Sequence, residues 1–337
     1  MKPTVYYSKN NFNKILDKLP GDLKGKVGIK VHVGEMGNVT YLKPKYAEAV
    51  YNKLSAANKD VSLIECNVLY RGSRTNRKDH LETAKKHGYD FAKLDILDGD
   101  FGEKSWEIKI NQKHFKTILV GERLKKYDNI VCLSHFKGHS ASGFGGALKN
   151  LGMGLGSRAG KMAMHAAFDL KIDPEICIGC GICAAKCDFE AIDIDKNKKA
   201  KINFKKCKGC AGCIANCPQG AVIMPWGDTS SEGLQERIVE HCYGIIKNIN
   251  CPVYINVLEN ITARCDCAGV KLKPISPDLG YLISSDPVAI DQASHDLVVK
   301  ELKKDPFGKS NKIDSLAQLQ YAEKLGLGRT GYLLINI

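Results

Sequence analysis

The sequence predicts an α/β fold: a mostly parallel sheet flanked by helices, interrupted by one small cysteine-rich insert. Short apolar runs rich in Val and Ile, as expected of strands buried on both faces, alternate with amphipathic stretches of helical length. The alternation stops near residue 172 and resumes near residue 225, and eight of the fourteen cysteines fall inside that gap. At 337 residues, 44% hydrophobic and 26% charged, the chain is long enough to bury a substantial core. The expected division is residues 1–172 for the first part of the α/β domain, 173–224 for the insert and 225–337 for the remainder.

The elements follow in order. Lys26-Val27-Gly28-Ile29-Lys30-Val31-His32-Val33 reads as a strand, and Pro44 sets the first turn of a helix over 45–55. Val61-Ser62-Leu63-Ile64-Glu65 reads as a second strand, followed by a helix from Asp79 to His87 that Gly88 ends. Residues 118–120 and 130–133 read as further buried strands. Beyond the insert, 233–247 reads as a helix and 252–258 as a strand. Asp286 is an N-cap with Pro287 at the first helical position. Strands alternating with helices imply a largely parallel sheet covered on both faces.

Several function classes are excluded. No run of about 18 apolar residues exists, so no membrane-spanning helix is expected. The N-terminus MKPTVYYSKNNFNK lacks the apolar core of a signal peptide, which points to the cytoplasm. The formal net charge of +13 raises nucleic acid as a partner. No Lys/Arg run is interleaved with aromatics and no RNA-recognition signature is present, so nucleic acid is not expected.

The insert holds an internal repeat with a 30-residue offset. Cys177-Ile-Gly-Cys180-Gly-Ile-Cys183-Ala-Ala-Lys-Cys187 returns as Cys207-Lys-Gly-Cys210-Ala-Gly-Cys213-Ile-Ala-Asn-Cys217, and Ala191-Ile192 is answered by Ala221-Val222. Each half is C-x2-C-x2-C-x3-C, with Pro218 after the second. Three thiolates on a tight loop grip three irons of one cubane, while the fourth points away to the other cluster. The spacing therefore assigns Cys177, Cys180, Cys183 and Cys217 to one [4Fe–4S] cluster, and Cys207, Cys210, Cys213 and Cys187 to a second. Gly179, Gly181, Gly209 and Gly212 are expected to turn backbone N–H groups toward the sulfurs. A zinc ribbon is the alternative, but it needs two separated C-x2-C pairs. The segment resembles the bacterial two-cluster ferredoxin module, an α+β unit, with Asp188 where that family usually has proline. Lys196, Lys198, Lys199, Lys201, Lys205 and Lys206 lie between the halves. They form either a solvated hairpin or a docking face for an acidic redox partner, a ferredoxin or flavodoxin.

Residues 129–168 contain no Asp or Glu, where the chain average would place about four. They do contain His135, Lys137, His139, Lys149, Arg158, Lys161 and His165, and eight glycines lie between Gly138 and Gly160. A strand running into a Gly-rich, acid-free loop suits an anion site at a sheet's carboxyl edge. The alternative is a flexible loop with its cations facing water. No Walker A sequence or G-x-G-x-x-G fingerprint follows the first strand. Histidines in such a cleft are expected to titrate near neutrality. Arg264-Cys265-Asp266-Cys267 raises a third metal or thiol site, with Cys242, Cys251, Cys132 or Cys66 as partners, against ordinary buried cysteines. Arg71, Arg74 and Arg77 either add anion contacts or are solvated turn residues, the second being the leading expectation.

Val27 to Glu35, Ser134-His135-Phe136-Lys137-Gly138-His139 running into Gly146-Ala147-Leu148-Lys149-Asn150, Arg264 to Cys267, and Ser285 to Ala293 together resemble the "domain of unknown function 362" iron–sulfur proteins. That resemblance implies an α/β domain carrying a two-cluster ferredoxin insert, and no particular reaction. It carries His135, Lys137, His139, Lys149, Asp286 and Asp291 over as functional positions. The leading expectation is a ferredoxin-linked reductase, an oxidoreductase passing electrons from two [4Fe–4S] clusters to an anionic substrate or cofactor. His135, His139 and Lys149 are its candidate catalytic residues. Lys137, Arg158 and Lys161 are its candidate anion holders, with Phe168 to Cys177 bringing a cluster close. Competing expectations are a non-enzymatic carrier or docking adaptor, a cluster-maturation factor using Cys265 and Cys267, and an enzyme with purely structural clusters. Exposed low-potential clusters fit an anaerobic host.

Overall fold

A computed structural model describes residues 1–337 apart from 22, 58–59, 166–169, 208, 225–229 and 309–312. The main sheet is built from β1 (Thr4–Ser8), β2 (Lys26–Lys30), β3 (Asp60–Glu65), β4 (Leu94–Ile96), β7 (Asn129–His135), β14 (Asn250–Leu258), β15 (Gly280–Ser284) and β16 (Leu333–Asn336). Its order is β16-β1-β15-β14-β7-β2-β3-β4. Only the β1–β15 and β15–β14 pairs in it are antiparallel, so the sheet is mostly parallel, as the alternating pattern predicts. The antiparallel intrusion of β15, the strand β1 beside it and the edge strand β16 were not expected.

The pleat sorts the core into two layers. Along β7, Val131 and Leu133 face α1 (Phe12–Leu16), α2 (Pro44–Ser55) and α3 (Arg77–Lys86). Ile130 and Cys132 face the opposite layer of α4 (Ala147–Leu155), α8 (Ser231–Asn248), α9 (Pro287–Leu302) and α10 (Ala317–Lys324). Strand β14 repeats the split, Val253, Ile255 and Val257 on one side and Tyr254 and Leu258 on the other.

Two expectations are corrected. Residues 118–120 are a strand, but β6 (Thr117–Gly121) pairs with β5 (Ser105–Lys109) in a separate antiparallel ribbon under α8, outside the main sheet. The Gly-rich stretch is no loop either. After the hairpin of β8 (Lys137–His139) and β9 (Gly143–Gly145) it forms α4 and then α5 (Arg158–His165). Its glycines serve close packing: a Cβ on Gly152 would stand 2.2 Å from the Ile238 carbonyl oxygen, and one on Gly160 2.0 Å from that of Leu119.

The cysteine-rich insert keeps its 30-residue symmetry in three dimensions. Strand β10 (Lys171–Ile172) pairs with β13 (Val222–Ile223), and β11 (Ile192–Ile194) pairs with β12 (Ala200–Ile202). The short helices α6 (Ile182–Ala185) and α7 (Gly212–Asn216) follow the two loops. Gly179 and Gly209 have φ of 66° and 65°, and Gly181 at 74° is matched by Ala211 at 54°. Ala211 therefore makes the left-handed turn expected of Gly212, which opens α7. The insert rests on the α/β domain through Leu69 and Met162, packed against Ala211, Ile214 and Val222. Among the described residues no helix is long and apolar enough to cross a membrane.

Candidate functional site

A cleft of about 870 Å³, its open mouth included, lies past the carboxyl ends of β2, β3 and β7, where parallel sheets commonly bind ligands. Its walls come from the ends of β2 and β3 (His32, Glu65), the following loop (Leu69, Tyr70, Arg74), the β8–β9 hairpin (Lys137, His139), α4 (Lys149, Met153), α5 (Lys161, His165) and the Cys265–Cys267 loop.

One side is a buried charge network. The Glu65 carboxylate meets Lys30 Nζ at 3.5 Å, His80 Nε2 at 2.9 Å and His32 Nδ1 at 3.4 Å. Burial raises the Glu65 carboxyl, but Lys30 and the two histidines outweigh it and hold it well below the usual carboxylate range. Arg74, fully buried, donates Nε to Glu35 at 3.2 Å and Nη2 to Tyr70 Oη at 2.6 Å. It is thus a fixed cation of the cleft, not a solvated turn residue. Arg71 is exposed and Arg77 half-buried.

The other side carries the acid-free segment. Asn150 ties α4 to the sheet by donating to Leu133 O and Ser134 Oγ, each at 3.0 Å, and this sets Lys149 over the cleft. Lys137 donates to His135 O at 2.9 Å and stands 3.4 Å from Asp266. Burial lowers its ammonium, but Asp266 wins and raises it. Lys161 caps the end of α4 by donating to the carbonyls of Gly154 and Gly156. His139 Nδ1 accepts from the N–H groups of Ala141 and Ser142, both at 3.2 Å. Burial, then Lys149, pushes the His139 and His165 imidazoles down to about 3. Both rings are therefore neutral at pH 7 and do not titrate near neutrality as expected.

The remaining candidates lie elsewhere. His135 does not line the cleft: Nδ1 meets Asp266 Oδ2 at 2.7 Å and Nε2 meets Glu259 O at 2.8 Å, so both nitrogens are engaged in fixing the Cys265–Cys267 loop. Arg158 is also outside. Lys161 and His165 of α5 line the cleft, whereas Met162 packs against the insert. Arg158 sits fully buried between Thr75, to which it donates, and the charges of Asp98, Cys210 and Cys213. Asp286 caps α9 through the N–H groups of Val288 and Ala289 (2.9 and 2.8 Å), and Asp291 caps α4 through Ala147 and Leu148 (2.7 and 3.0 Å). Both aspartates are structural caps.

Cys265 and Cys267 meet in the cleft beside His139, while Cys132, Cys242 and Cys251 lie in the core and none of the three lines the cleft. Cys66, the other expected partner, reaches the cleft wall but is not in the ligand trio. The Cys265 thiol is held well below its ordinary value by the hydrogen bond from Cys267, helped by Lys149, His32 and Lys137. In the insert, one hollow of about 360 Å³ is lined by Cys177, Cys180, Cys183 and Cys217, and another of about 370 Å³ by Cys187, Cys207, Cys210 and Cys213. Phe168, expected to help bring a cluster close, lies outside the described residues.

His32, Glu65 and Tyr70 were not expected as cleft residues, whereas Arg74 meets the expectation that it could add an anion contact. A charged residue closing an otherwise apolar parallel strand, as Glu65 closes β3, is the signal that would have found the first two.

The ferredoxin of Pyrobaculum islandicum is 43% identical over 51 residues, 15% of this chain and 48% of the ferredoxin. An uncharacterised protein of Methanocaldococcus jannaschii is 51% identical over 49 residues, 14% of this chain and 22% of that protein. The chain thus spans about half the length of the first and about a fifth of the second. The lactate racemase apoprotein of Thermoanaerobacterium thermosaccharolyticum superposes with a TM-score of 0.36 at 10% identity, covering 76% of this chain and 51% of that one. A protein from Thermotoga maritima gives 0.35 at 12% identity, covering 74% and 49%. The model of the domain of unknown function DUF362 matches residues 27–296, well over half of the chain, and the chain belongs to that family.

Proposed function

We propose that this protein is an iron–sulfur electron-transfer protein that carries two [4Fe–4S] clusters and delivers their electrons to an anionic substrate or cofactor in the cleft. The insert's cysteines fit the clusters. Each hollow gathers four thiols, three from one loop and the fourth from the other half of the repeat. Backbone amides already face the sulfurs: Ala191 N to Cys187 Sγ at 3.3 Å, Ala221 N to Cys217 Sγ at 3.2 Å and Ala200 N to Cys177 Sγ at 3.4 Å. Such N–H···S bonds tune cluster potentials. Bound clusters would each supply one electron.

The observation that carries the reading is the shared wall. Leu69 and α5 touch the insert on one side and line the cleft on the other, with Met162 packed against the second cysteine loop. Cys180 is exposed, whereas Cys210 is half-buried toward Arg158. Electrons would therefore arrive at the Cys177–Cys183 loop and leave toward the cleft from the Cys207–Cys213 loop. Ile176, Ile178 and Ile182 lie exposed on the first loop. With the insert's lysines they suit an acidic ferredoxin or flavodoxin as donor. All fourteen cysteines are free, which accords with the reducing cytoplasm. In the cleft, Lys149 and Arg74 supply positive charge for the anion, and Lys137 positions the hairpin.

The test is anaerobic. Protein reduced with dithionite and freed of excess reductant is mixed with a panel of carboxylate and phosphate metabolites, and the return of visible cluster absorbance is followed. At least one anion should reoxidise wild type, and Lys149→Ala should slow that reaction about tenfold or more. Reversible reduction with no reoxidation by any anion would favour the carrier or adaptor reading, and an unaffected Lys149→Ala would remove the assigned site.

A further inference from the structure

His139, Cys265 and Cys267 form a ligand group separate from the insert's cysteines. One donor atom from each, a ring nitrogen and two sulfurs, lie within 4.8 Å of one another. The backbone explains why the two thiols share a side. Asp266, fully buried, points into the protein, where His135 and Lys137 hold its carboxylate, while its carbonyl accepts from Glu35 N at 2.9 Å. With Asp266 turned inward, its two neighbours face the cleft together. Cys267 N donates to Cys265 Sγ at 3.4 Å and tightens the pair. On the facing hairpin, the Ala141 and Ser142 amides occupy His139 Nδ1, so Nε2 is the ring atom left for a ligand.

We propose that His139, Cys265 and Cys267 bind one thiophilic divalent metal ion of the zinc class, with its fourth position open to the cleft. Two sulfurs and an imidazole suit such an ion and reject magnesium or calcium, which require oxygen donors. Sulfur and nitrogen ligands of tetrahedral zinc stand about 3.3–3.8 Å apart, so the trio needs to close by only about 1 Å. Three protein ligands lining a cavity are the donor count of open sites, whereas structural zinc sites are closed by four. Lys149 and Arg74 face the same space. The fourth ligand would therefore be an anion, held by the metal and these cations together. This proposal stands independently of the clusters.

The full chain, purified without oxygen and with its iron retained, is given one equivalent of Zn2+ and desalted. Zinc and iron are counted, and X-ray absorption is recorded at the zinc edge, where iron does not contribute. One zinc per chain, with two sulfurs at about 2.3 Å and nitrogen or oxygen at about 2.0–2.1 Å, supports the site. The paired variant Cys265→Ser/Cys267→Ser should lose the zinc and keep the iron. His139→Asn is the sharper variant, because its Oδ1 can still accept the hairpin amides but nothing replaces Nε2. It should weaken zinc binding at least about tenfold with unchanged thermal stability. No zinc retained, a four-sulfur shell from capture by the insert's cysteines, or wild-type zinc affinity in His139→Asn would each overturn the proposal. A two-sulfur shell that depends on Cys265 and Cys267 in protein lacking iron would sink the cluster reading and leave this site standing.

Discussion

Asp291 joins three elements through one carboxylate. From α9 it accepts the N–H groups of Ala147 and Leu148 at the start of α4, and the Asn256 side chain of β14 at 2.8 Å. Helix N-termini favour the charged carboxylate, but burial opposes it and wins, pushing the Asp291 carboxyl up to about 6 from an ordinary 3.8. The sign follows from linkage. A carboxyl raised in the folded state binds its proton more tightly there than in the unfolded chain. Its contribution is complete below pH 3.8 and is lost as pH rises through about 6. Across the range in which iron–sulfur protein is workable, pH 5.0 to 7.5, this one group should remove about 1.4 kcal/mol of stability. Asp291→Asn cannot titrate, and its NH2 group would face the Leu148 amide at a constant cost of about 1–2 kcal/mol. Denaturant unfolding of both proteins at several pH values cancels every other titrating group in the difference. Wild type should gain about 1.4 kcal/mol over the variant at pH 5.0 relative to pH 7.5. A difference that does not change with pH would mean that the cap hydrogen bonds outweigh burial, and the reasoning would be refuted.

Other expected outcomes are as direct. Gly152→Ala drives a Cβ to 2.2 Å from the Ile238 carbonyl oxygen and forces α4 off α8; thermal unfolding should show a loss of about 1–3 kcal/mol, and wild-type stability would show that the helices shift freely. Glu65→Gln leaves the Lys30 ammonium buried without its carboxylate. A cost of about 3–5 kcal/mol is expected, and a change under 1 kcal/mol would mean that Lys30 is neutral in the fold. Arg158→Met removes a buried positive charge beside Cys210 and Cys213. Potentiometric titration should find one cluster shifted to lower potential and the other unchanged; identical potentials would separate Arg158 from the clusters.

The central strands were legible because a sheet covered on both faces needs unbroken Val/Ile runs, and β2, β3, β7 and β14 have them. Strands β1 and β16 lie at one end of the sheet, where exposed positions such as Leu333 and Ile335 blur the pattern. Helices α4 and α5 were misread because glycine was counted as a loop signal. In Gly152 and Gly160 it is a packing device that brings a helix against a backbone carbonyl. The site divided along similar lines. Its cations stood out in an acid-free segment, so Lys137, His139, Lys149 and Lys161 could be found. Arg158, on the same segment, is instead buried against Thr75 and Asp98 beside the insert's cysteines, which the composition of the segment does not show. His32, Glu65 and Arg74 converge from beyond β2, from the end of β3 and from the loop that follows β3, a juxtaposition that one-dimensional spacing does not show. The cysteine repeat was the most legible feature, since cluster ligation fixes spacing directly.

The central claim is that the insert carries two reducible clusters beside the cleft. Iron and acid-labile sulfide should be counted in protein purified without oxygen, and the same sample reduced stepwise under electron paramagnetic resonance. About eight irons and eight sulfides per chain, with two S = 1/2 signals that broaden each other on full reduction, are expected of paired cubanes. Zinc in place of iron, with no signal appearing on reduction, would contradict the account.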